Sequence, residues 1–526
     1  MNGAESVLRS LAASGIRVCF ANPGTTELTL VRALDAVSEI RPVLCAFEGV
    51  ATGAADGYAR IAEHPAAALL HLGPGLANGL ANLHNARRAQ TPLVVLVGDH
   101  PGQHRVLDPP LESDIEALAG SVSGWVRGAV RAEDAGADAD AAVVAALGPP
   151  GRVATLVLPA DVLWSEAPSP APSPRPHNTL RATPVPEARV TEAATLLRRD
   201  QPAAVLLGGS ALREPGLNAG ARVASACRAR FLSETFTARL ERGGGLPRTE
   251  PVAYGLEMAQ GQLEGLSLLV CAGARPPVAF FAQPGRPGSP LPPDCLVHSL
   301  AGPGEDAVDA LERLADLVAT WPGTSPSGVS APGGSRPPRP AGPLTAVSAA
   351  EAVGALLPEG AIVVDEAVTN RVFMFSETAG APRHDWLGLT GGAIGQGLPL
   401  AVGAAVAAPE RPVVTLEADG SALYTLQALW TMARESLDIT VVVLSNRRYA
   451  ILLAEISRLG GDALGPRGRS LLDLDRPAID FASLARGLGV PAFTATTADD
   501  LCVQLERSLA EPGPHLIEAR VPPLFG

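Results

Sequence analysis

At 526 residues, with 47% hydrophobic and 18% charged side chains, the chain is long enough for about three domains of ordinary size, each with its own core. Its net charge of −13 argues against a nucleic-acid or anionic-membrane surface, so an anionic ligand has to be held by local devices such as a metal ion or a few arginines. All 41 basic residues are arginine, which excludes lysine Schiff-base chemistry and the lysine of a P-loop.

Residues 1–165 alternate helical periodicity (4–14, 26–38, 49–63, 76–89) with short apolar runs (17–20, 42–47, 66–71, 93–98), the pattern of a parallel sheet covered on both faces. No basic region followed by an apolar run opens the sequence, so no signal peptide is expected. The strand 42–47 is expected to end at Glu48, where a carboxylate is costly to ionise unless a partner needs it; a helix-capping glutamate is the alternative. The strand 66–71 ends in His71, followed by Leu72-Gly73-Pro74-Gly75 and a helix that contains Asn78. His71 reads either as a core histidine bonded to backbone or as a proton-transfer group at a sheet edge. His100 and His104 reach the same edge in an irregular loop. The six cysteines form no CxxC pair and predict free thiols in a reducing, cytoplasmic compartment.

A Pro/Ser-rich linker (166–187) leads to a second α/β block (188–318) with strands at 203–209 and 267–273. Its Gly208-Gly209 pair lacks the rest of a dinucleotide fingerprint. A second linker (319–344) precedes the third block, 345–526, with strands at 361–365, 412–417, 439–445 and 515–519. Helices there fit at 346–356, 393–407, 421–435, 478–488 and 498–510. The charge-free stretch from Trp386 to Pro409 is long enough to span a bilayer, but glycines crowd its middle and it is read as part of the third block. The predicted fold class is α/β, with three doubly wound parallel-sheet domains.

Strand 412–417 runs into Ala418-Asp419-Gly420-Ser421, and the next strand ends in Ser445-Asn446, 27 positions after Asp419. A carboxylate and an amide oxygen at the same edge, completed by a backbone carbonyl, phosphate oxygens and water, suit octahedral magnesium. The alternative is an ordinary turn in which Asp-Gly-Ser caps a helix.

These constellations, in this order, resemble the thiamine-diphosphate-dependent decarboxylase and acetolactate synthase superfamily over almost the whole chain. The resemblance implies a pyrimidine-binding domain (1–165), a central domain (188–318) and a diphosphate-binding domain (345–526). The superfamily's GDG and NN motifs stand here as Ala418-Asp419-Gly420 and Ser445-Asn446, which implies Mg2+ held by Asp419, Asn446 and Arg448. Glu48 falls on the cofactor-activating glutamate. The segment 388–399 looks like the loop that bends the cofactor, with Gly392 offering a carbonyl and Ile394 wedged beneath. Asn22, Gly24, Asn78, Thr369, Gly420, Ser421 and Tyr449 are implied as further cofactor contacts.

Within the superfamily the chain looks most like the benzoylformate decarboxylase branch. Thr25, in Asn22-Pro23-Gly24-Thr25, stands where that branch carries a serine, and His71 falls on its first active-site histidine. Phe280 replaces its second histidine, and Glu455 an apolar residue; the Gln-Trp of acetolactate synthases is absent. The implied reaction forms a C2 ylide that attacks a 2-oxo acid, loses CO2 and leaves an enamine. Protonation of the enamine, aided by His71, gives an aldehyde; attack on a second carbonyl gives a hydroxyketone. The site would lie between subunits of a homodimer or dimer of dimers, with no nucleic-acid or membrane partner. The other readings are an acetolactate synthase-type carboligase, a non-catalytic homologue acting as a binding or regulatory subunit, and a flavin-assisted oxidase.

Overall fold

In the computed structural model of the chain, which describes residues 1–168, 182–199, 201–282, 284–320, 335–458 and 464–524, the apolar runs form three sheets. The first holds β1 (Val18–Ala21), β2 (Arg41–Leu44), β3 (Ala67–His71), β4 (Leu93–Asp99), β5 (Trp125–Gly128) and β6 (Val153–Pro159), all parallel, in the order β2-β1-β3-β4-β6-β5. Every residue of β4 is buried, as expected for a central strand with helices on both faces.

The middle block contributes β7 (Ala203–Leu207), β8 (Arg230–Ser233), β9 (Leu240–Arg242), β10 (Glu250–Pro251), β11 (Leu268–Ala272) and β12 (Leu296–Ala301). Five of these make a sheet in the order β10-β8-β7-β11-β12; β9 leaves it. The third sheet holds β13 (Ile362–Glu366), β14 (His384–Gly388), β15 (Val413–Ala418), β16 (Ile439–Ser445), β17 (Ala492–Ala495) and β18 (His515–Arg520). Its order is β17-β18-β16-β15-β13-β14-β9, so the middle block's own strand closes one edge, antiparallel to β14. The α/β class with three parallel-dominated sheets is as the sequence predicts.

Several elements depart from the sequence reading. The strand expected over 42–47 ends at Leu44, and Glu48 is the first residue of the Glu48–Ala62 helix rather than the last of a strand. The helix expected over 393–407 begins at Gly397, because Gly392 and Gly395 take φ of +76° and +90° that a helix does not admit. The helix expected over 421–435 breaks into Asp419–Ala422 and Gln427–Arg434. Residues 169–181 and 321–334 of the two linkers lie outside the described residues. Among the described residues no helix is long and apolar enough to cross a membrane; the 386–409 stretch divides into the end of β14, a glycine turn and the Gly397–Ala407 helix. All six cysteines are unpaired.

The first and third blocks share one core. The Gly397–Ala407 helix, apolar on all sides, lies against the Glu48–Ala62 helix. Small residues permit the approach: a Cβ at Gly57 would stand 2.0 Å from the Leu400 oxygen, and one at Gly403 1.8 Å from the Ala54 oxygen. A buried ion pair, Arg60 to Asp56 at 2.7 Å, sits in the same seam.

Candidate functional site

In doubly wound sheets, ligands lie at the carboxyl edge where the strand order reverses. In the first sheet that point falls between β1 and β3, and in the third between β13 and β15. The candidate residues gather at these two places.

After β1 the chain turns through Asn22, Pro23 and Gly24 so that the Gly24 N–H donates to Glu27 Oε2 at 2.8 Å. Glu27 is wholly buried and accepts from His71 Nδ1 at 2.8 Å, across from the end of β3. Two glycines leave room for this pair: a Cβ at Gly24 would stand 2.3 Å from the His71 ring, and one at Gly98 1.6 Å from Glu27 Oε1. With Nδ1–H directed at a carboxylate, the His71 tautomer is set and Nε2 is left for proton exchange. Thr26 bonds Glu27 and lies 3.3 Å from His71 Nδ1, whereas the predicted Thr25 is exposed. Glu27 and Thr26 escaped the sequence reading, although a carboxylate three residues past a strand-end glycine turn was a usable signal.

Glu48 is buried and accepts from Asn78 Nδ2 at 3.0 Å. A Cβ at Gly75 would lie 3.2 Å from Glu48 Oε1 and 3.4 Å from His71 Cβ, so the glycine lets both side chains approach one spot. Glu48, Asn78 and His71 therefore meet, as the sequence order suggested. His100 and His104 pack edge to face with ring centroids 5.4 Å apart in the loop after β4.

At the third sheet Asp419 heads a four-residue helical turn and is buried. Its carboxylate accepts from the Gly420 N–H at 2.8 Å and the Arg447 N–H at 2.5 Å. Burial nonetheless pushes its pKa up to about 6, since backbone donors offset only part of the lost hydration. Asn446, at the end of the adjacent β16, turns its Oδ1 to the Arg448 N–H at 3.0 Å. A Cβ at Gly420 would lie 2.4 Å from the Tyr449 ring, so the glycine leaves room for that ring against the turn. Among the described residues no group of three His, Cys, Asp or Glu side chains could cage a metal ion. One partly compensated carboxylate and one amide oxygen fit a hard cation that takes water, phosphate and backbone carbonyl oxygens as its other ligands. Magnesium with a diphosphate meets that description, with Ser421 buried beside Asp419.

Thr369, Gly392, Ile394 and Tyr449 line a cavity of about 1190 Å3 between the middle and third blocks. Phe280 covers Gly392, where a Cβ would lie 2.6 Å from the ring, and it packs on Phe236 and Tyr254 with centroids 5.4 Å apart in both cases. Glu455 bonds Arg458 on the same wall. Glu48 and His71 do not line this cavity. Neither do Asp419, Gly420, Ser421 or Asn446, so the candidate residues form two half-sites, one at the carboxyl edge of each sheet, with the cavity beside the second.

A buried carboxyl pair beneath the glycine turn was also missed. Glu366, ending β13, accepts from the Gly395 N–H at 2.7 Å and the Gly397 N–H at 2.5 Å. Glu417 is its register partner on β15. Burial pushes Glu366 up to about 7, and burial with the neighbouring Glu366 charge pushes Glu417 well above the usual carboxylate range. The sequence offered only isolated acids in apolar strands, and their pairing needed the strand order.

Comparison with known proteins places these half-sites in matched regions. Residues 1–118 match the description "Thiamine pyrophosphate enzyme, N-terminal TPP binding domain", and residues 372–519 match "Thiamine pyrophosphate enzyme, C-terminal TPP binding domain". A Mycobacterium tuberculosis protein provisionally named acetolactate synthase large subunit IlvX is 56% identical over 527 residues, covering 100% of both chains. The benzoylformate decarboxylase of Pseudomonas aeruginosa is 30% identical over 534 residues, covering 96% of each. Among solved structures, the thiamine diphosphate-dependent 4-hydroxybenzoylformate decarboxylase of Rhodococcus jostii RHA1 superposes with a TM-score of 0.85 at 25% identity, covering 100% of both chains.

Proposed function

Since this chain belongs to the thiamine pyrophosphate enzyme family, with both cofactor-binding domains within it, we propose that it is a magnesium-dependent 2-oxo acid decarboxylase that also joins the acyl unit to a second carbonyl. The observation that carries this reading is Asp419, a buried and only partly compensated carboxylate level with Asn446 at the switch point of the third sheet. Bound there, thiamine diphosphate would supply the electron sink beside the carbonyl that a lysine imine cannot supply in a chain without lysine.

The chain's own groups divide the work. Asp419, Asn446 and the Arg448 carbonyl would hold Mg2+ and through it the diphosphate. Gly420 and Ser421 would lie under the phosphates, with Thr369 and Tyr449 beside them. The Gly392 carbonyl would orient the aminopyrimidine and Ile394 would support the bent cofactor. Glu48, kept in place by Asn78, would exchange a proton with the pyrimidine ring nitrogen. His71, oriented by Glu27, would move protons at the substrate oxygen and carbon. Phe236, Tyr254 and Phe280 give the cavity an apolar wall, which would favour loss of a carboxylate as CO2. On this reading a second copy would complete each site, with the first block of one protomer over the third block of its partner.

The name borne by the 56% identical relative favours a second reading, carboligation of an acetolactate synthase type, with the same groups and a different acceptor. A panel of 2-oxo acids with and without acceptor aldehydes, scored for CO2 and hydroxyketone, separates the two. Glu48→Gln is expected to retain the cofactor while lowering turnover by roughly 10²–10⁴-fold. Wild-type turnover in that variant would remove the proposed mechanism.

A further inference from the structure

The cavity between the middle and third blocks carries charges of both signs, and its acids are already answered. Glu455 is bonded by Arg458, Glu250 by Arg230 at 2.6 Å, and Glu366 by the N–H groups of Gly395 and Gly397. Asp365, buried at the end of β13, accepts from the Ala367 N–H at 3.2 Å, Trp386 Nε1 at 3.1 Å and Arg371 Nε at 2.8 Å.

The arginines of the same wall are not used up. Arg371 gives Asp365 only its Nε, and its two Nη groups have no hydrogen-bond partner among the described residues. A guanidinium tied at Nε keeps open the edge between its Nη atoms, which can take a carboxylate with two parallel bonds. Phe236 and Phe375 flank it, with Arg371 Cζ 5.4 and 6.0 Å from their ring centroids, so the group is held before any ligand arrives. Arg248 is exposed, lines the same cavity and has no hydrogen-bond or ion-pair partner among the described residues. Arg242 is buried behind them, its Cζ 3.7 Å from the Phe375 centroid. Burial, with repulsion from Arg248 and Arg371 that Asp365 offsets in part, lowers Arg242 to about 9. In a chain of net charge −13, this wall is a local excess of positive charge.

We propose that Arg371 and Arg248 bind a second carboxylate of the substrate, at the end of its carbon chain away from the reacting carbonyl, so that the enzyme acts on 2-oxo dicarboxylic acids. The inference rests on the decarboxylase reading above and names its substrate class. The carboxylate that leaves as CO2 is a poor occupant for these arginines, because pairing its charge stabilises the ground state more than the transition state in which that charge is lost. A carboxylate that persists through the reaction is bound equally throughout and lowers KM without slowing the step.

The test compares CO2 release by the holoenzyme from 2-oxoglutarate and 2-oxoadipate with release from 2-oxopentanoate and 2-oxohexanoate, the same carbon chains ending in methyl. The wild type is expected to favour the dicarboxylates in kcat/KM by on the order of ten- to a hundredfold, the range of charge-assisted hydrogen bonds, with the difference lying in KM. Arg371→Met is expected to bring that ratio toward unity, and Arg248→Met to lower it. Arg371→Lys, which keeps a charge for Asp365 but loses the fork, is expected to fall between Arg371→Met and the wild type. Should Arg371→Met fail to fold with Asp365 unpaired, Arg371→Lys and Arg248→Met carry the comparison. A wild type that prefers the monocarboxylates, or arginine variants that keep the wild-type ratio, overturns the proposal. Loss of bound thiamine diphosphate from the folded Arg371 variants also overturns it, by turning that residue toward the cofactor. Release of CO2 from monocarboxylic or aromatic 2-oxo acids alone refutes the proposal and leaves the decarboxylase reading standing, whereas no release from any 2-oxo acid refutes that reading itself.

Discussion

Replacing Arg60 with methionine isolates what the seam between the first and third blocks contributes. The Arg60 and Asp56 side chains are 2% and 0% exposed. Arg60 donates to both Asp56 oxygens at 2.9 and 2.7 Å, to the Gly388 oxygen at 2.9 Å, to the Ala238 oxygen at 3.1 Å and to Thr390 Oγ1 at 3.0 Å. Methionine fills similar space but leaves the Asp56 carboxylate with Gln396 Nε2, at 2.8 Å, as its remaining side-chain donor. Breaking a buried pair from one side costs about 3–5 kcal/mol, and the two carbonyls left without a donor place Arg60→Met toward the upper end. Against a typical total of about 5–15 kcal/mol, that is a large fraction. Urea unfolding of the apo protein reads the loss as a shift in the first midpoint at constant slope. The double variant Asp56→Leu/Arg60→Met is expected to recover part of it, because no unpaired charge stays buried. A loss below about 1 kcal/mol, or a double variant no better than Arg60→Met, would show that the pair is not desolvated as the packing indicates.

Three further outcomes are expected. Asp419→Ala should purify without cofactor, as measured by thiamine diphosphate released on denaturation; stoichiometric cofactor in that variant would refute the magnesium assignment. Glu27→Gln should lower kcat by roughly 10–100-fold at unchanged cofactor affinity, because it removes the carboxylate that orients His71; the KM and kcat split reads this, and an unchanged kcat would refute it. For Glu366 the folded pKa lies above the unfolded one, about 7 against 4.5, so its contribution to stability is full below about pH 4.5 and is lost as pH rises through 7. Glu417, held above the usual carboxylate range by burial and the Glu366 charge, loses stability in the same direction, so apo Glu417→Gln should gain on the wild type as pH rises from 5 to 8. Thermal melts that keep a constant gap across that range would contradict the buried carboxyl pair.

Much of the fold was legible because apolar runs bounded by Gly and Pro are a local signal. The strand ending in His71 and the β15–β16 pair that aligns Asp419 with Asn446 could be read in this way. What escaped depends on contacts between distant segments. Glu27 meets His71 only because β1 and β3 are neighbours, and Glu366 meets Glu417 only because β13 and β15 are. The 393–396 residues look helical by composition, yet backbone bonds to Glu366 and to the asparagines of a helix some 300 positions earlier hold them as a turn. Strand β9 carries too few residues, Leu240 to Arg242, to show a period at all.

That short strand has a mechanical consequence. Because Leu240, Glu241 and Arg242 are stitched along β14, the middle block is sewn into the neighbouring sheet instead of hanging from it by linkers alone. The walls of the cavity between them are then fixed in their spacing, and a clamshell motion of the kind many two-lobed enzymes use would first have to tear backbone pairing at that seam. Discrimination among substrates would fall to the size and shape of an existing hollow, so trimming Phe280 or Tyr254 would widen the range of accepted molecules more readily than loosening any hinge.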